Sequence, residues 1–387
     1  MQATGSPSAT TSRSPTPPAP LRLLVVTDSV RPPVTGVGRV TLSLLRELSA
    51  LGHEVHAVDW QPNPVVAAVC PHLHVLPVRG RRLRTARWHF DLLPRVAALG
   101  VAHDALLETS GYPNVRGSHP ALVTFVYDMS MFARGIYRPG KRAWFRLFHR
   151  RGIDRAALVV AISQYTRERL LARSPAAASR CVVVPPGVDS GFAAPDAGAV
   201  AAAPSPYFLA VGTIEKRKNI GRLLDAFAAA RAGGVGARLV LAGRPGFGAG
   251  RWLRRIAGEL ADAVTVVSGL DDRALQALYR DAVALLFPSL DEGFGLPILE
   301  AMQSGTPVLT SDRAAMPEVA GDAALLVDPD DVGAIRDGIE RLWRDADLRA
   351  RLVERGRDRV QCFQPRRAAQ QLVEHLRALA RPNGGSP

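Results

Sequence analysis

Short runs of β-branched and leucine residues, each followed by a loop and a helically spaced apolar stripe, recur along this 387-residue chain in two consecutive series. That alternation admits few folds, because adjacent parallel strands need crossover connections, and those are right-handed. Leu21 to Thr27 opens the first series as a buried strand. A loop with Pro32, Pro33, Gly36 and Gly38 leads to a helix over Arg39 to Leu51. Its stripe is Val40, Leu44, Leu48 and Leu51, and Gly52 ends it. Val55 to Trp60 is the next strand, and Val75 to Val78, Leu122 to Tyr127, Leu158 to Ile162 and Cys181 to Val184 continue the half. An Ala-, Gly- and Pro-rich stretch then breaks the pattern. Tyr207 to Val211, Leu239 to Ala242, Val264 to Val267, Ala284 to Pro288, Pro307 to Thr310 and Ala324 to Val327 resume it, and residues 331–380 read as helices with arginine-rich faces.

The expectation is an α/β chain of two doubly wound, Rossmann-like domains. Residues 1–20 form a disordered tail, 21–190 the N-terminal domain, 191–206 a linker, 207–365 the C-terminal domain, and 366–387 a last helix and tail. The first 20 residues lack the basic start and apolar core of a signal peptide, and no apolar run approaches the ~20 residues that cross a bilayer. Cys70, Cys181 and Cys362 are scattered and match no disulfide or zinc spacing, which points to a reducing cytoplasm.

Charge is uneven. Residues 1–190 hold 24 Lys and Arg against 11 Asp and Glu, whereas residues 191–387 hold 25 against 24. The excess gathers around Arg79, Arg81, Arg82, Arg84, Arg87 and Arg95, and again from Arg134 to Arg155. Solvated arginine-rich faces explain this blandly; an anionic membrane surface or a lipid-linked diphosphate explains it functionally. Trp88, Phe90, Trp144, Phe145 and Phe148 lie among these arginines without any recognisable nucleic-acid module, so nucleic acid is not an expected partner.

The most informative window runs from Pro288 to Met302. A buried strand ends at Phe287, so the residues that follow lie outside the carboxyl end of a sheet, where ligands bind in open α/β folds. Gly293 and Gly295 allow close backbone approach, with Phe294 between them, and Pro297 suits the first turn of a helix. Amides near Gly295 and Leu296 then face an anion such as a diphosphate. Glu292 can accept hydroxyl hydrogen bonds from a sugar, and Glu300, one turn into the helix, can chelate vicinal ribose hydroxyls. Arg217 and Lys218 follow the first strand of the second series and can neutralise a departing diphosphate. A strand-to-helix turn with exposed acids, or a solvated basic turn, would leave each of these residues without function.

Glu292 and Glu300, with seven residues between, resemble the paired-glutamate signature of retaining GT-B glycosyltransferases of family four, in form close to bacterial mannosyltransferases. Val211 to Asn219, with Gly212, is similar to that family's phosphate-binding segment, Ala242 to Gly246, with Gly243 and Arg244, to its nucleotide-side loop, and Ser311 to Val327 to its closing segment. The likeness extends from Leu21 to the C-terminal helices. It implies two domains facing a cleft, a C-terminal helix crossing back to the first domain, and a nucleotide-sugar donor such as GDP-mannose. It also implies transfer of a hexosyl group to a polysaccharide or lipid-linked saccharide. Gly36 and Gly38 resemble the N-terminal loop beside the donor phosphate and the acceptor, in the domain that the resemblance makes the acceptor side; Thr41, standing where a dinucleotide fingerprint needs a third glycine, weakens any NAD reading. Relatives carry His-Asp where this chain has Tyr127-Asp128, which removes an imidazole from the reaction centre. Asp128 then either orients a hydroxyl or caps the next segment. Asp328-Pro329-Asp330 has a metal-binding form but reads better as a turn, so no metal and no cofactor are expected. A cytoplasmic enzyme, peripheral at the inner face of the membrane, fits these features. Alternatives on the same residues are a sugar-nucleotide epimerase or phosphorylase, or a basic binding module without catalysis.

Overall fold

The computed structural model describes residues 19–32, 34–78, 84–111, 116–132, 139–188 and 206–380. Residues 1–18 of the expected tail, 191–205 of the expected linker, and Arg79, Arg81, Arg82 and Arg134 lie outside the described residues.

Seven strands form the first sheet: β1 (Arg22–Val26), β2 (Glu54–Asp59), β3 (Leu73–Val75), β4 (Ala105–Glu108), β5 (Leu122–Val126), β6 (Leu158–Ala161) and β7 (Cys181–Val183). Their spatial order is β3-β2-β1-β4-β5-β6-β7, with every pairing parallel. Six more form the second: β8 (Tyr207–Val211), β9 (Arg238–Ala242), β10 (Val264–Val267), β11 (Leu285–Phe287), β12 (Val308–Ser311) and β13 (Leu325–Val327). These are ordered β10-β9-β8-β11-β12-β13, again parallel. Chain direction across each sheet reverses beside its first strand. The crevices between the loops after β1 and β4, and after β8 and β11, are therefore the natural ligand sites.

Helices cover both faces of each sheet because strands this apolar must be buried on both sides. All of β5 and all but the first residue of β1 are buried. The helix Gly36–Ala50 turns Val40, Leu44, Leu45 and Leu48 inward. It begins three residues earlier than its stripe suggests, so Gly36 and Gly38 sit in its first turn rather than in a loop. Two strand expectations shift. Val75 to Val78 is a three-residue strand ending at Val75, and β4, absent from the sequence reading, lies between β1 and β5 with all four residues buried.

The helical tail is three helices, Val332–Arg344, Ala346–Val360 and Pro365–Ala380. The last returns to the first domain, where Ala369, Leu372 and Leu376 join Leu44, Leu45 and Leu48 in one core. Burial of a leucine there contributes roughly 1.5–3 kcal/mol. At the crossing, the Val188 amide donates to the Phe363 carbonyl at 3.1 Å. Gly187 lies so close to Pro365 that a β-carbon would fall 2.2 Å from its nitrogen.

Candidate active site

The loops after β8 and β11 are stitched together before any ligand is considered. Asn219, at φ 58°, starts the helix Ile220–Ala232 and sends its side-chain amide to the carbonyls of Pro288 (3.1 Å) and Pro329 (2.6 Å). The Leu290 amide donates to the Arg217 carbonyl at 2.8 Å, and Arg217 Nη1 donates to the Asp291 carbonyl at 3.1 Å. Arg217 also bonds a carboxylate oxygen of Glu292, while its Nε reaches Glu215 Oε1 at 3.0 Å. Lys218 Nζ lies 2.7 Å from the other Glu292 oxygen and 4.2 Å from the centre of the Phe287 ring. Gly212, at φ 129°, leaves the room this needs, since a β-carbon there would come within 2.8 Å of Lys218 Cε.

Glu292 is therefore buried and clamped by two cations. Burial alone would raise its pKa, but Arg217 and Lys218 outweigh it and hold the carboxyl at about 2. Burial loosens the Lys218 proton, and Glu292 opposes that shift. The group is a preorganised charge cluster in a water-poor site, where such arrangements stabilise developing charge best.

Gly295, at φ 108°, stands at the N-terminus of the helix Leu296–Gln303, with Pro297 in its first turn. Glu300 is buried one turn in, with Oε2 accepting from the Tyr279 hydroxyl at 2.8 Å and Oε1 3.8 Å from Arg39 Nη1. Burial, countered chiefly by Arg39, raises its pKa. Arg39, which also pairs with Asp272, comes from the first domain, so it reaches across the cleft. Gly36 makes a second contact across it, its added β-carbon lying 3.3 Å from Leu296 Cδ1.

The two domains close on Gly293. Its carbonyl accepts from Ser163 Oγ at 2.5 Å and Thr166 Oγ1 at 3.0 Å. Glu318, in the expected closing segment, takes the Gln164 and Tyr165 amides at 2.8 and 3.1 Å, and the Tyr165 hydroxyl donates to Asp291 at 2.8 Å.

The cleft between the domains, about 440 Å³, is lined by Arg217, Lys218, Glu292, Asp128, Gly36, Gly212, Gly243, Arg244, Gly293, Phe294, Gly295, Leu296 and Glu300. Gly38 corrects the sequence reading. It does not line the cleft, and a β-carbon there would meet Val34 Cγ1 at 2.9 Å and the Ser29 carbonyl at 3.0 Å, so it lets the helix pack on the loop after β1. Gly243 also packs tightly within the chain, its added β-carbon falling 1.9 Å from the Gly212 carbonyl. Asp128 caps the next turn, with Oδ1 accepting from the Ser130 amide and hydroxyl at 2.9 and 2.7 Å. Tyr127 Oη is buried, and burial beside Glu108 raises its pKa.

Asp328 and Asp330 are both taken by Arg313, Arg222 lies 3.0 Å from Asp330, and the Asp330 amide donates to Asp328 at 2.8 Å, which is turn chemistry. Among the described residues, no group of three or more His, Cys, Asp or Glu is placed to hold a metal ion. Tyr279, Ser163, Tyr165 and Thr166 escaped the sequence reading. They sit on other helices, and no local spacing marks them.

Two facing parallel-sheet domains whose cleft gathers a clamped glutamate, a helix N-terminus and paired cations define a glycosyltransferase of the GT-B architecture. Residues 34–192 match the family described as Glycosyltransferase Family 4, and residues 199–359 match Glycosyl transferases group 1. The chain is 28% identical to the O-antigen chain mannosyltransferase B of Escherichia coli, over 93% of this chain and 100% of that one. It is also 28% identical to the MMP alpha-(1->4)-mannosyltransferase of Mycolicibacterium hassiacum, over 89% and 95%. The solved structure of Anabaena HepE in complex with UDP-glucose superposes with a TM-score of 0.70 at 15% identity, covering 92% of this chain and all of that one. The two glycosyltransferase models follow one another along the chain, which is a GT4-like glycosyltransferase. Its substrates are a nucleotide-sugar donor and a saccharide acceptor.

Proposed function

We propose that this enzyme transfers a mannosyl group from GDP-mannose or a related nucleoside-diphosphate hexose to a polysaccharide or lipid-linked saccharide, retaining the anomeric configuration. The observation that carries the reading is Glu292 held between Arg217 and Lys218 at the mouth of a helix N-terminus. Two curated relatives with near-complete coverage are mannosyltransferases, which favours mannose as the sugar.

In the proposed reaction Glu292 fixes the hexose hydroxyls and Glu300 the ribose, with Tyr279 and Arg39 orienting Glu300. The bond from the anomeric carbon to the diphosphate oxygen breaks with its electron pair leaving on the diphosphate. Amides near Gly295 and Leu296, with Arg217 and Lys218, take up that charge. The acceptor hydroxyl attacks from the same face, and its proton passes to the departing phosphate oxygen. The two cations supply the charge that a divalent ion supplies elsewhere, so transfer is expected to proceed in EDTA.

The helix Pro139–Arg155 supports a peripheral role at the inner membrane face. Arg146, Arg150, Arg151 and Arg155 are exposed, and Leu147 is 68% exposed among them. The Trp144 and Phe148 rings lie beside it, tilted against each other with centroids 4.4 Å apart. No helix among the described residues is long and apolar enough to cross a membrane. Sedimentation with vesicles containing anionic phosphatidylglycerol, but not with pure phosphatidylcholine, is the expected result.

The decisive experiment is thermal stabilisation across a panel of nucleotide sugars, followed by transfer and determination of the product anomer. A panel that leaves the melting midpoint unmoved throughout would sink the reading.

A further inference from the structure

The helix Gln164–Leu171 of the first domain reaches both chain neighbours of Glu292. On one side Ser163, the N-cap of that helix, and Thr166 donate their hydroxyls to the Gly293 carbonyl. On the other side the Tyr165 hydroxyl donates to Asp291 Oδ1 at 2.8 Å and accepts from Arg169 Nη1 at 2.5 Å. Arg169 itself lies 3.7 Å from Asp291 Oδ2. Glu318 of the second domain holds the Gln164 and Tyr165 amides, which fixes where this helix starts. Glu292 is thus straddled. Its carboxylate is gripped by Arg217 and Lys218 of its own domain, and the residues before and after it are gripped by the other.

Asp291 stands at an expensive place. Burial raises its pKa, Asp128 and Glu292 add to the rise, and Tyr165 and Arg169 oppose it. A carboxylate buried among carboxylates must be compensated by partners, and among the described residues the side-chain partners of Asp291 are Tyr165 and Arg169. Its backbone is tied the other way. Arg217 Nη1 donates to the Asp291 carbonyl, and the same nitrogen bonds the Glu292 carboxylate. A shift of Asp291 is therefore passed to Glu292 through one guanidinium nitrogen. We propose that Tyr165 is a positioning residue for transfer, which through Asp291 sets where the Glu292 carboxylate stands, with Arg169 steering the Tyr165 hydroxyl. Glu292 then comes into register with the hexose only while the first domain stands against it. Tyr165 has no contact with substrate in this scheme. The inference rests on the glycosyl-transfer reading above.

The test uses the full chain and the nucleotide sugar it turns over, and reads release of nucleoside diphosphate with methyl α-D-mannopyranoside as acceptor and with water alone. Tyr165→Phe is expected to lower both rates about tenfold, while the donor Kd, measured by calorimetry, moves less than about threefold. Asp291→Ala should show the same split, and Asp291→Asn, which still accepts the Tyr165 hydroxyl, should recover most of the loss. Because the two residues act along one path, the double variant Tyr165→Phe with Asp291→Ala should be no slower than Asp291→Ala by itself. A wild-type kcat in Tyr165→Phe, a donor Kd that worsens in step with the rate, or losses that simply add in the double variant each overturn the proposal. A role confined to stability would lower the melting midpoint and leave kcat per folded molecule unmoved, which also overturns it. Should Tyr165→Phe not fold, Asp291→Ala with a tenfold lower kcat at unmoved donor Kd supports the pair, and Asp291→Ala with wild-type kcat overturns it. A wild-type chain that turns over no sugar nucleotide removes the functional reading and this proposal together; wild-type turnover that Tyr165→Phe leaves unchanged removes this proposal alone.

Discussion

Gly293 and Tyr127 meet backbone to backbone across the cleft: a β-carbon on Gly293 would lie 1.7 Å from the Tyr127 carbonyl oxygen and 2.8 Å from Asp128 Cβ. No side chain fits there, so the contact between domains is written into one hydrogen atom. Gly293→Ala must push the domains apart at the point where Ser163 and Thr166 grip the same residue. Misplacement by about 1 Å in a reacting geometry costs roughly 100-fold. The variant should therefore lose about two orders of magnitude in kcat while each domain stays folded by circular dichroism. Wild-type kcat in this variant would mean that the reacting arrangement is not the one described here.

Lys218→Ala removes one of the two cations from Glu292 and leaves that buried carboxylate leaning on Arg217. Losing a preorganised charge that acts on the leaving group costs about 10²–10³ in kcat. The expected signature is a collapsed kcat with a donor KM changed far less, read from initial rates across donor concentrations.

Tyr279→Phe deletes the hydroxyl that fixes Glu300 and little else, since the ring stays packed in the core. A hydrogen bond to a charged group is worth roughly 1.5–3 kcal/mol, so donor affinity should fall about tenfold or more by calorimetry. The rate at saturating donor should hold near the wild-type value. A large loss of rate at saturation would place Glu300 in the chemical step rather than in binding.

What the sequence disclosed and what it withheld divide along physical lines. Glu292 and Glu300 were legible because both belong to one unbroken strand-turn-helix segment, where spacing alone determines what faces the cleft. Arg217 and Lys218 were legible for the same reason after β8. Tyr279, Ser163 and Thr166 act from helices whose own sequences carry no sign of their partners; only the crossing of one domain over the other brings them there. Strand β4 was invisible because Ala-Leu-Leu-Glu favours helix intrinsically, and burial between β1 and β5 overrides that preference. Gly38 was misread since a glycine needed for tight packing and one needed beside a phosphate look alike in sequence.

A pH effect on stability follows from the interior of the first domain. Glu108, at the end of β4, is fully buried, with Ser110 donating its amide to Oε1 at 2.9 Å. Burial raises its pKa from 4.5 to about 7, against the pull of nearby His89 and the Ser110 bonds, with Asp28 adding to the rise. A raised carboxyl favours the folded state below pH 4.5, and that contribution drains away as pH climbs through 7. The contribution of Glu108 lost over this window is on the order of 3 kcal/mol. Glu108→Gln keeps an oxygen for Ser110 and has no proton to lose, so this decline should be missing from its stability between pH 5 and 8 in urea titrations. Parallel pH curves for the two proteins would refute the assignment.

The close passage of Gly187 against Pro365 has a mechanical consequence. Polypeptide leaves the first domain beside Val188 and re-enters it at Pro365, next to the point of exit, with Val188 bonded to Phe363. The final helix then anchors itself on the first domain through its leucines. Exit and return therefore lie side by side, so the two halves meet at one narrow junction on this side of the molecule.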